Sequence, residues 1–334
     1  MKIPDEIEEE IEEIMDSEKL STLTAVGEKI GISELSTNYI EEYIQFFKDL
    51  FKDDFRGNKL RIGIDTANGA TSEVAERVFK ELGINCEIIS RSPNGININE
   101  GCGSTYLENI SNYVKQNQFD LGIAYDGDGD RCLAVDENGN TMDGDVIMSI
   151  IAKYLKSKGE LKNNTLVATV MSNLGLGKFT ESNGMDFIQT KVGDRYVLEE
   201  MLKNGYNLGG EQSGHVILLD YNPTGDGILT SLMLIKAILA KAEKASECAK
   251  IVNIYPQVLI NAKVSSEKKY DYEKDEEIVK AIKELEEEFS GNGRVLIRPS
   301  GTEPKVRVMI EGENQEYITK RAKELANLIE NKLK

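Results

Sequence analysis

Three aspartates alternate with glycines in the segment Asp126 to Arg131, which reads DGDGDR. Carboxylates at alternate positions can converge on one hard cation, because the glycines between them let the backbone turn sharply. The segment follows the apolar run DLGIAY, and α/β folds bind ligands at the carboxyl ends of parallel strands. The sequence therefore predicts a Mg²⁺ site on Asp126, Asp128 and Asp130, with positions left open for a phosphate oxygen.

Two other interpretations of DGDGDR remain open. As an EF-hand loop it has acidic residues at the required positions as far as Glu137, but Arg131 stands where glycine is needed and the flanks read as strands. As an acidic turn without a metal, it would bring three carboxylates together with no cation to offset their repulsion. Both fit the sequence less well than the Mg²⁺ site does.

A second segment, RPSGTEP, runs from Arg298 to Pro304 and is followed by Arg307. The arginine fork, the hydroxyls of Ser300 and Thr302, and a glycine, Gly301, whose N–H an anion can approach closely are the parts of a phosphate cradle. The alternative is an ordinary Pro-Ser-Gly turn. In an acidic chain, a basic pocket here would attract an anionic small molecule.

Two further motifs carry weaker signals. In GGEQSGH, the side chains of Glu211 and Ser213 are of the kind that bind sugar hydroxyls, and the motif ends in His215. A solitary histidine is more often structural than catalytic, so either role is open for it. In TKVGDRYV, Lys191 and Arg195 add positive charge where a strand is predicted to end.

Composition excludes several classes of protein. The 334 residues contain 40 Lys plus Arg and 58 Asp plus Glu, a formal net charge of −18, which argues against a general binder of nucleic acids or membrane surfaces. One histidine cannot supply a multi-histidine zinc site. Four widely spaced cysteines, no membrane-length apolar run and no signal peptide predict a cytoplasmic protein with reduced, mostly buried thiols.

The elements that must position these motifs alternate along most of the chain. An acidic amphipathic helix is predicted over residues 5–15 and a second over 37–51. Strands and helices then alternate from about residue 60 to residue 241, which is typical of crossover units in two α/β domains of about 100 residues each. After Cys248 this rhythm stops, and strands and helices predict a small α+β domain with short strands on both sides of RPSGTEP.

Taken together and in this order, the four motifs resemble those of the α-D-phosphohexomutase superfamily, over essentially the whole chain. DGDGDR resembles its metal loop, GGEQSGH its sugar-recognition loop, and RPSGTEP the phosphate loop of its last domain. Finer features resemble its bacterial phosphoglucosamine mutases: PNGININEGCGSTY (Pro93 to Tyr106), Gln212 with His215 in the sugar loop, and LLDYNPTGDG (Leu218 to Gly227).

The resemblance implies a fold of two phosphohexomutase-type α/β domains with mixed sheets, followed by a smaller α+β C-terminal domain. The expected ranges are 1–34 for the end of a first domain and a linker, 35–140 for the domain with the metal loop, 141–247 for the domain with the sugar loop, and 248–334 for the domain with the phosphate loop.

It also implies a reaction and its residues. Similar enzymes pass a phosphoryl group between a phosphoserine and a sugar phosphate through a bisphosphate, here interconverting glucosamine 6-phosphate and glucosamine 1-phosphate. The cofactors would be one Mg²⁺ per chain and a hexose bisphosphate primer. The resemblance implies that Asp126, Asp128 and Asp130 bind the metal and that Arg131 supports the transferring phosphoryl group. It implies sugar contacts from Glu211 and Ser213, and proton transfer or electrostatic help from Lys191 and His215. The implied phosphate contacts are Arg298, Ser300, Gly301, Thr302 and Arg307.

One family feature is missing from the sequence. The family's phosphoserine lies in a loop of the type T-A-S-H-N, in a domain preceding these motifs, and the 334 residues contain no such loop. We therefore expect the chain to begin just inside the family pattern and to show little mutase activity alone. The alternatives are a phosphomannomutase or phosphoglucomutase of the same superfamily, a chain that works with a serine-loop domain on another chain, and a non-catalytic phosphosugar-binding fragment. An uncovered apolar face on the opening helix would favour association, such as a homodimer. No nucleic-acid or membrane partner is expected.

Overall fold

The computed structural model describes residues 3, 5–34, 36, 38–300 and 303–334. The chain divides into two compact units. One comprises the described residues up to 171 together with 186–249, and the other comprises 172–185 together with the described residues from 250 onwards. None of the helices in the described part of the chain is long and apolar enough to cross a membrane. All four cysteines are free and three are buried, as expected for reduced thiols.

Helices form the first part of the chain. They are α1 (Asp5–Asp16), α2 (Lys19–Leu23) and α3 (Asn38–Leu50). The apolar stripe of α1 is not covered within the described residues, since Ile7 is 45% and Ile11 43% exposed. In α3, Ile44 and Phe47 are buried, so its predicted amphipathic face does pack; Thr37, the first residue of that prediction, lies outside the described residues.

The first sheet has five strands in the order β2-β1-β3-β4-β5. Its elements are β1 (Arg61–Asp65), α4 (Thr71–Glu81), β2 (Asn85–Ile89), α5 (Glu108–Asn117), β3 (Leu121–Tyr125), β4 (Cys132–Asp136) and β5 (Thr141–Met142). Strand β1 pairs parallel with β2 and β3, whereas β4 pairs antiparallel with both β3 and β5. The sheet is therefore mixed, and the metal motif lies in the turn between β3 and β4.

The second sheet has four strands in the order β7-β6-β8-β9. The elements of this region are α6 (Gly144–Lys158), β6 (Thr165–Thr169), α7 (Leu174–Ser182), β7 (Asp186–Thr190), α8 (Asp194–Asn204), β8 (Leu208–Gly210), β9 (Val216–Leu218), α9 (Gly227–Lys241) and α10 (Ala245–Ala249). Strand β6 pairs parallel with β7 and β8, and β8 pairs antiparallel with β9. The periodicity missed β8, because a strand of three residues that includes two glycines carries almost no pattern.

Helices α6 and α9 form the centre of the first unit. They contact each other, strand β4 of the first sheet, and strands β8 and β9 of the second. Both helices are apolar around most of their circumference, and α9 is buried from Gly227 to Ile235. A helix of this composition must be covered on all sides, which explains why both sheets pack around the pair.

The third sheet has three antiparallel strands in the order β10-β12-β11. Its elements are β10 (Gln257–Lys263), α11 (Glu276–Glu288), β11 (Gly293–Pro299), β12 (Lys305–Gly312) and α12 (Gln315–Leu333). Alternate residues of the strands, such as Val308 and Ile310, form an apolar core with Ile278 of α11 and Ile329 of α12. The opposite face carries most of the polar residues. The expected fold class, two α/β regions with mixed sheets followed by a smaller α+β region, is confirmed.

Candidate active site

The metal loop is a tight connection between two paired strands. Tyr125 at the end of β3 lies opposite Cys132 at the start of β4, so residues 126–131 form the turn between them. Gly129 takes a left-handed backbone conformation with a φ of 79°, which a residue with a side chain rarely adopts. Because strands flank this turn instead of helices, the EF-hand interpretation is wrong.

The three aspartates of the loop converge. Asp126, Asp128 and Asp130 each offer a carboxylate oxygen, and the three oxygens lie within 4.8 Å of one another. Burial raises the pKa of Asp126 to about 6, and the negative charges of Asp130 and Asp128 add to this effect. The Oδ1 atom of Asp130 is buried and accepts no hydrogen bond from the part of the chain that the structure describes. A divalent cation would satisfy that oxygen and offset the repulsion, so the residues present fit the expected metal.

Arg131 follows the third aspartate and stays partly open to solvent. Its Nε atom lies 3.8 Å from Oδ2 of Asp126 and 3.9 Å from Oδ1 of Asp130, and its side chain is 45% exposed. Ion pairs at this length and exposure hold the guanidinium loosely. The group is therefore free to turn toward an anion beside the loop.

The sugar loop is a hairpin that lies directly against the metal loop. It connects β8 to β9, and Gly214 within it has a φ of 96°. The carbonyl of Gly214 accepts a hydrogen bond from the N–H of Cys132 at 3.0 Å, and Arg131 forms an isolated β-bridge with His215. Two motifs that are more than 80 residues apart in sequence thus share backbone contacts.

Both predicted sugar contacts belong to this hairpin. Ser213 is exposed, and Glu211 is half-buried. An Oε1 oxygen of Glu211 accepts a hydrogen bond from the N–H of Gly193 at 3.2 Å. Gln212 turns the other way and donates from Nε2 to Oδ2 of Asp143 at 3.1 Å. The loop therefore presents Ser213 to solvent, while Glu211 ties it to the loop that contains Lys191.

Lys191 lies in the loop between β7 and α8 and is exposed. Its Nζ atom is 5.9 Å from the ring centroid of Tyr196, and it forms no ion pair within the described residues. Arg195, the other cation of this motif, pairs with Glu199 at 2.8 Å on the surface of α8. Of the two, Lys191 is the one that remains available to a ligand.

His215 is 4% exposed, and both of its ring nitrogens have partners inside the protein. Nδ1 lies 3.0 Å from Oδ2 of Asp130, and Nε2 accepts a hydrogen bond from the N–H of Gly225 at 3.1 Å. A second carboxylate, that of Asp194, lies 3.6 Å from Nε2. Because Nε2 accepts, the ring proton belongs on Nδ1, where it is donated to Asp130. This geometry favours the structural alternative over proton transfer to a substrate.

The predicted phosphate contacts lie in the second unit, on the polar face of the third sheet. Arg298 of β11 and Arg307 of β12 are direct cross-strand partners and therefore share this face. Burial lowers the pKa of Arg298, and the positive charge of Arg307 adds to the effect. Within the described residues, neither guanidinium has a carboxylate at ion-pair distance. Two adjacent cations without a counter-charge are suited to binding an anion.

The turn beyond these arginines begins at Ser300, which is 2% exposed. Its N–H donates to the carbonyl of Lys305 at 2.8 Å, and its Oγ accepts from the N–H of Glu303 at 3.3 Å. Gly301 and Thr302, the other predicted contacts of this loop, lie outside the described residues. Each compact unit thus carries its own set of predicted residues.

Sequence reasoning included Gly225 to Gly227 in the segment LLDYNPTGDG but missed their role, which is to hold the metal loop from behind. Gly225 and Gly227 contact His215 and the metal loop, and Asp226 between them caps α9. The signal was present in the sequence, since an aspartate before a long apolar run is a helix N-cap. The contact of Asp226 with Tyr43, 183 positions earlier, could not be predicted from the residues around either one.

Comparisons with known proteins match most of the chain to one family. Three models of the phosphoglucomutase/phosphomannomutase family match consecutive ranges: alpha/beta/alpha domain II over residues 39–139, alpha/beta/alpha domain III over 143–255, and the C-terminal domain over 259–328.

Relatives of high identity cover the whole chain. The phosphoglucosamine mutase of Ruminiclostridium cellulolyticum is 54% identical over 332 residues, which is 99% of this chain and 74% of the relative. That of Clostridium tetani is 52% identical and covers 100% of this chain and 74% of the relative. The chain thus spans about three quarters of the length of these proteins.

Solved structures share the fold at lower identity. The N-acetylphosphoglucosamine mutase of Aspergillus fumigatus aligns with a TM-score of 0.73 and 22% identity, over 87% of this chain and 65% of that one. A structure of the same protein with GlcNAc-6P and magnesium aligns with a TM-score of 0.72 and 22% identity, over 95% and 68%. These structures show the fold, and the domain models and the relatives of about 50% identity show the family: this chain belongs to the phosphoglucomutase/phosphomannomutase family.

Proposed function

We propose that these 334 residues form the metal-, sugar- and phosphate-binding part of a phosphoglucosamine mutase, an isomerase that interconverts glucosamine 6-phosphate and glucosamine 1-phosphate. The observation that carries the proposal is the convergence of three aspartate oxygens within 4.8 Å, directly against the sugar loop. The relatives of about 50% identity support this choice of sugar over mannose and glucose. The three matched family ranges, 39–139, 143–255 and 259–328, support domains at 35–140, 141–247 and 248–334.

The metal loop would hold one Mg²⁺ on Asp126, Asp128 and Asp130. When bound, the ion would neutralise the charge that develops on a transferring phosphoryl group. Arg131 extends from the same turn and would contact a phosphoryl oxygen. In full-length members of the family, a hexose bisphosphate would serve as the primer that phosphorylates the catalytic serine.

The remaining residues would bind and orient the phosphosugar. Glu211 would accept hydrogen bonds from ring hydroxyls, and Ser213 would accept or donate them. Arg298, Ser300 and Arg307, with Gly301 and Thr302, would bind the phosphate that does not react. Lys191 is our candidate for electrostatic or proton-transfer help, because its ammonium group is exposed and has no carboxylate partner among the described residues.

Binding of phosphosugars to the 334-residue chain tests the proposal. We expect calorimetry to show that glucosamine 6-phosphate binds in the presence of Mg²⁺ and that glucosamine without a phosphate does not. Mannose 6-phosphate and glucose 6-phosphate separate the alternatives, because a phosphomannomutase or phosphoglucomutase would bind its own sugar more tightly. No heat with any phosphosugar would contradict the proposal.

Turnover tests the mechanism separately. The 334 residues contain no Thr-Ala-Ser-His-Asn loop, and their single histidine is His215. We expect them to bind phosphosugar without converting it, even with Mg²⁺ and glucose 1,6-bisphosphate. Adding the serine-loop domain of a longer relative as a separate chain should restore turnover if the parts are complementary. Conversion at a relative's rate without that domain would contradict the mechanism, and failure to restore it would favour the non-catalytic alternative.

Two further expectations, about location and about assembly, are part of this proposal. A cytoplasmic location is supported by the four free thiols. A homodimer is supported by the exposed apolar side chains of α1 and would appear as a doubled mass in light scattering.

A further inference from the structure

The metal loop is held from behind by the three residues that open α9, Gly225 to Gly227, which we call the brace. The N–H of Gly227 donates to the carbonyl of Gly129 at 2.9 Å, within the metal loop itself. The N–H of Gly225 donates to Nε2 of His215 at 3.1 Å, and the opposite ring nitrogen contacts Asp130. One short segment thus sets both a backbone position in the loop and the orientation of a predicted metal ligand.

The brace fits too closely to leave freedom at these contacts. A Cβ atom on Gly225 would lie 2.5 Å from Cε1 and Nε2 of His215. One on Gly227 would lie 2.7 Å from the carbonyl oxygen of Arg131 and 2.8 Å from the ring of Tyr125. A shift of the brace by a few tenths of an ångström would therefore be passed on to the histidine ring and to the loop.

The central residue of the brace, Asp226, is anchored by a distant helix. Asp226 is 8% exposed, and its Oδ1 atom accepts a hydrogen bond from the N–H of Leu229 at 2.9 Å, which caps α9. The hydroxyl of Tyr43, on α3, lies 2.9 Å from both Oδ1 and Oδ2 of Asp226. Asn222 adds a longer contact of 3.4 Å to Oδ2. Burial and the neighbouring carboxylate raise the pKa of Tyr43, so the phenol remains a donor at neutral pH.

We propose that Tyr43 is a positioning residue for the metal site: it holds Asp226, the central residue of the brace, and the brace fixes the Gly129 carbonyl and the His215 ring that orients Asp130. Groups that orient metal ligands without touching the metal commonly change metal affinity. The inference rests on the proposed metal site, and it adds a residue that none of the four motifs contains.

Metal binding by the 334-residue chain provides the first test, with Mn²⁺ as a spectroscopic substitute for Mg²⁺. We expect Tyr43→Phe to weaken Mn²⁺ binding, measured by electron paramagnetic resonance, by about threefold to tenfold, since a hydrogen bond to a buried carboxylate is lost. The matched control is Tyr113→Phe, which removes a hydroxyl that donates to Glu87 at 3.0 Å on the surface of α5. It should leave the Mn²⁺ affinity unchanged.

The single histidine makes a second test possible that does not involve a metal. In ¹⁵N-labelled protein, the imidazole signals can come only from His215. We expect the wild type to show the Nδ1–H tautomer and Tyr43→Phe to show a mixture of tautomers or exchange broadening. A purely structural role for Tyr43 would lower the melting temperature without altering these signals.

A variant at the brace covers the case in which Tyr43→Phe is poorly folded. Gly225→Ala pushes directly on the His215 ring and should produce the same loss of Mn²⁺ affinity and the same tautomer change. Its control is Gly31→Ala, where an added Cβ meets open space. Wild-type affinity and an unchanged tautomer in both Tyr43→Phe and Gly225→Ala would overturn the inference. If the wild type binds no Mn²⁺, the proposed metal site fails instead, and the histidine spectra alone then decide whether the brace acts on His215.

Discussion

The metal loop of the first unit and the arginine pair of the second place like charges side by side in different ways. In the metal loop, three carboxylates are brought within 4.8 Å by a turn that backbone hydrogen bonds hold on two sides. At the arginine pair, Arg298 and Arg307 meet only because they are cross-strand partners in a regular sheet. The first arrangement depends on many tertiary contacts, whereas the second depends on strand register alone.

The same sheet also contains a buried charge that has a partner of opposite sign. At its other end, Glu311 is fully buried and its carboxylate lies 2.8 Å from Nη2 of Arg294, with the N–H of Leu174 at 3.1 Å. This pair needs no ligand. In contrast, Arg298 and Arg307 have no carboxylate at ion-pair distance within the described residues, and Asp126 and Asp130 are paired only loosely with Arg131, at 3.8 and 3.9 Å. This contrast supports our proposal that both groups bind ligands, because proteins otherwise supply partners for buried charge.

The largest effect should come from breaking the balanced pair. Arg294→Met leaves the Glu311 carboxylate buried without its cation, and we expect a loss of about 3 to 5 kcal/mol in the free energy of unfolding at pH 7.5. Burial already raises the pKa of Glu311 above its unfolded value, so the carboxyl favours the folded state when protonated. The loss should therefore be smaller at pH 5, which urea unfolding at both pH values would measure.

The double variant Arg294→Met with Glu311→Met is the control for that experiment, since it removes both charges. It should recover most of the stability. An equal loss for the single variant at both pH values, or a double variant as unstable as the single one, would show that the charge pair is not the cause.

The next largest effect should come from the unpaired arginines. Arg298→Ala combined with Arg307→Ala should weaken glucosamine 6-phosphate binding by about 30-fold or more, because charge-assisted hydrogen bonds to the phosphate are lost. The melting temperature should stay the same or rise, since two adjacent cations are removed. Calorimetry and thermal unfolding measure both quantities. Lys280→Ala, an exposed cation on α11, is the control and should bind as the wild type does; a marked fall in melting temperature would mean that the arginines stabilise the fold instead.

The smallest effect concerns one carboxylate of the metal loop. Asp128 is the exposed member of the three, so Asp128→Asn should lower Mn²⁺ affinity by about tenfold, through loss of a charged ligand, with little change in the metal-free melting temperature. Asp53→Asn, at an exposed surface ion pair with Arg56, is the control. If Asp128→Asn bound Mn²⁺ as tightly as that control, the cation would not be held by the three aspartates together.

Much of the fold follows from sequence pattern. The crossover rhythm and the change after Cys248 predicted the α/β and α+β regions, because apolar periodicity records which face each element buries. Strand β8 was missed because Gly209 and Gly210 have no side chains to show an alternation. The sequence did not show what covers the apolar stripe of α1, and Ile7 and Ile11 stay exposed within the described residues.

By itself, the sequence determined the chemistry of the site: three alternating carboxylates, an arginine fork and a hydroxyl-rich loop are local facts of residue type and spacing. The tertiary structure decided how these groups are held. It placed both nitrogens of His215 against Asp130 and Gly225, and it brought Tyr43 to Asp226 across 183 positions. The physical reason is that a hydrogen bond between distant segments depends on how buried helices and sheets pack, which short-range patterns in the sequence do not encode.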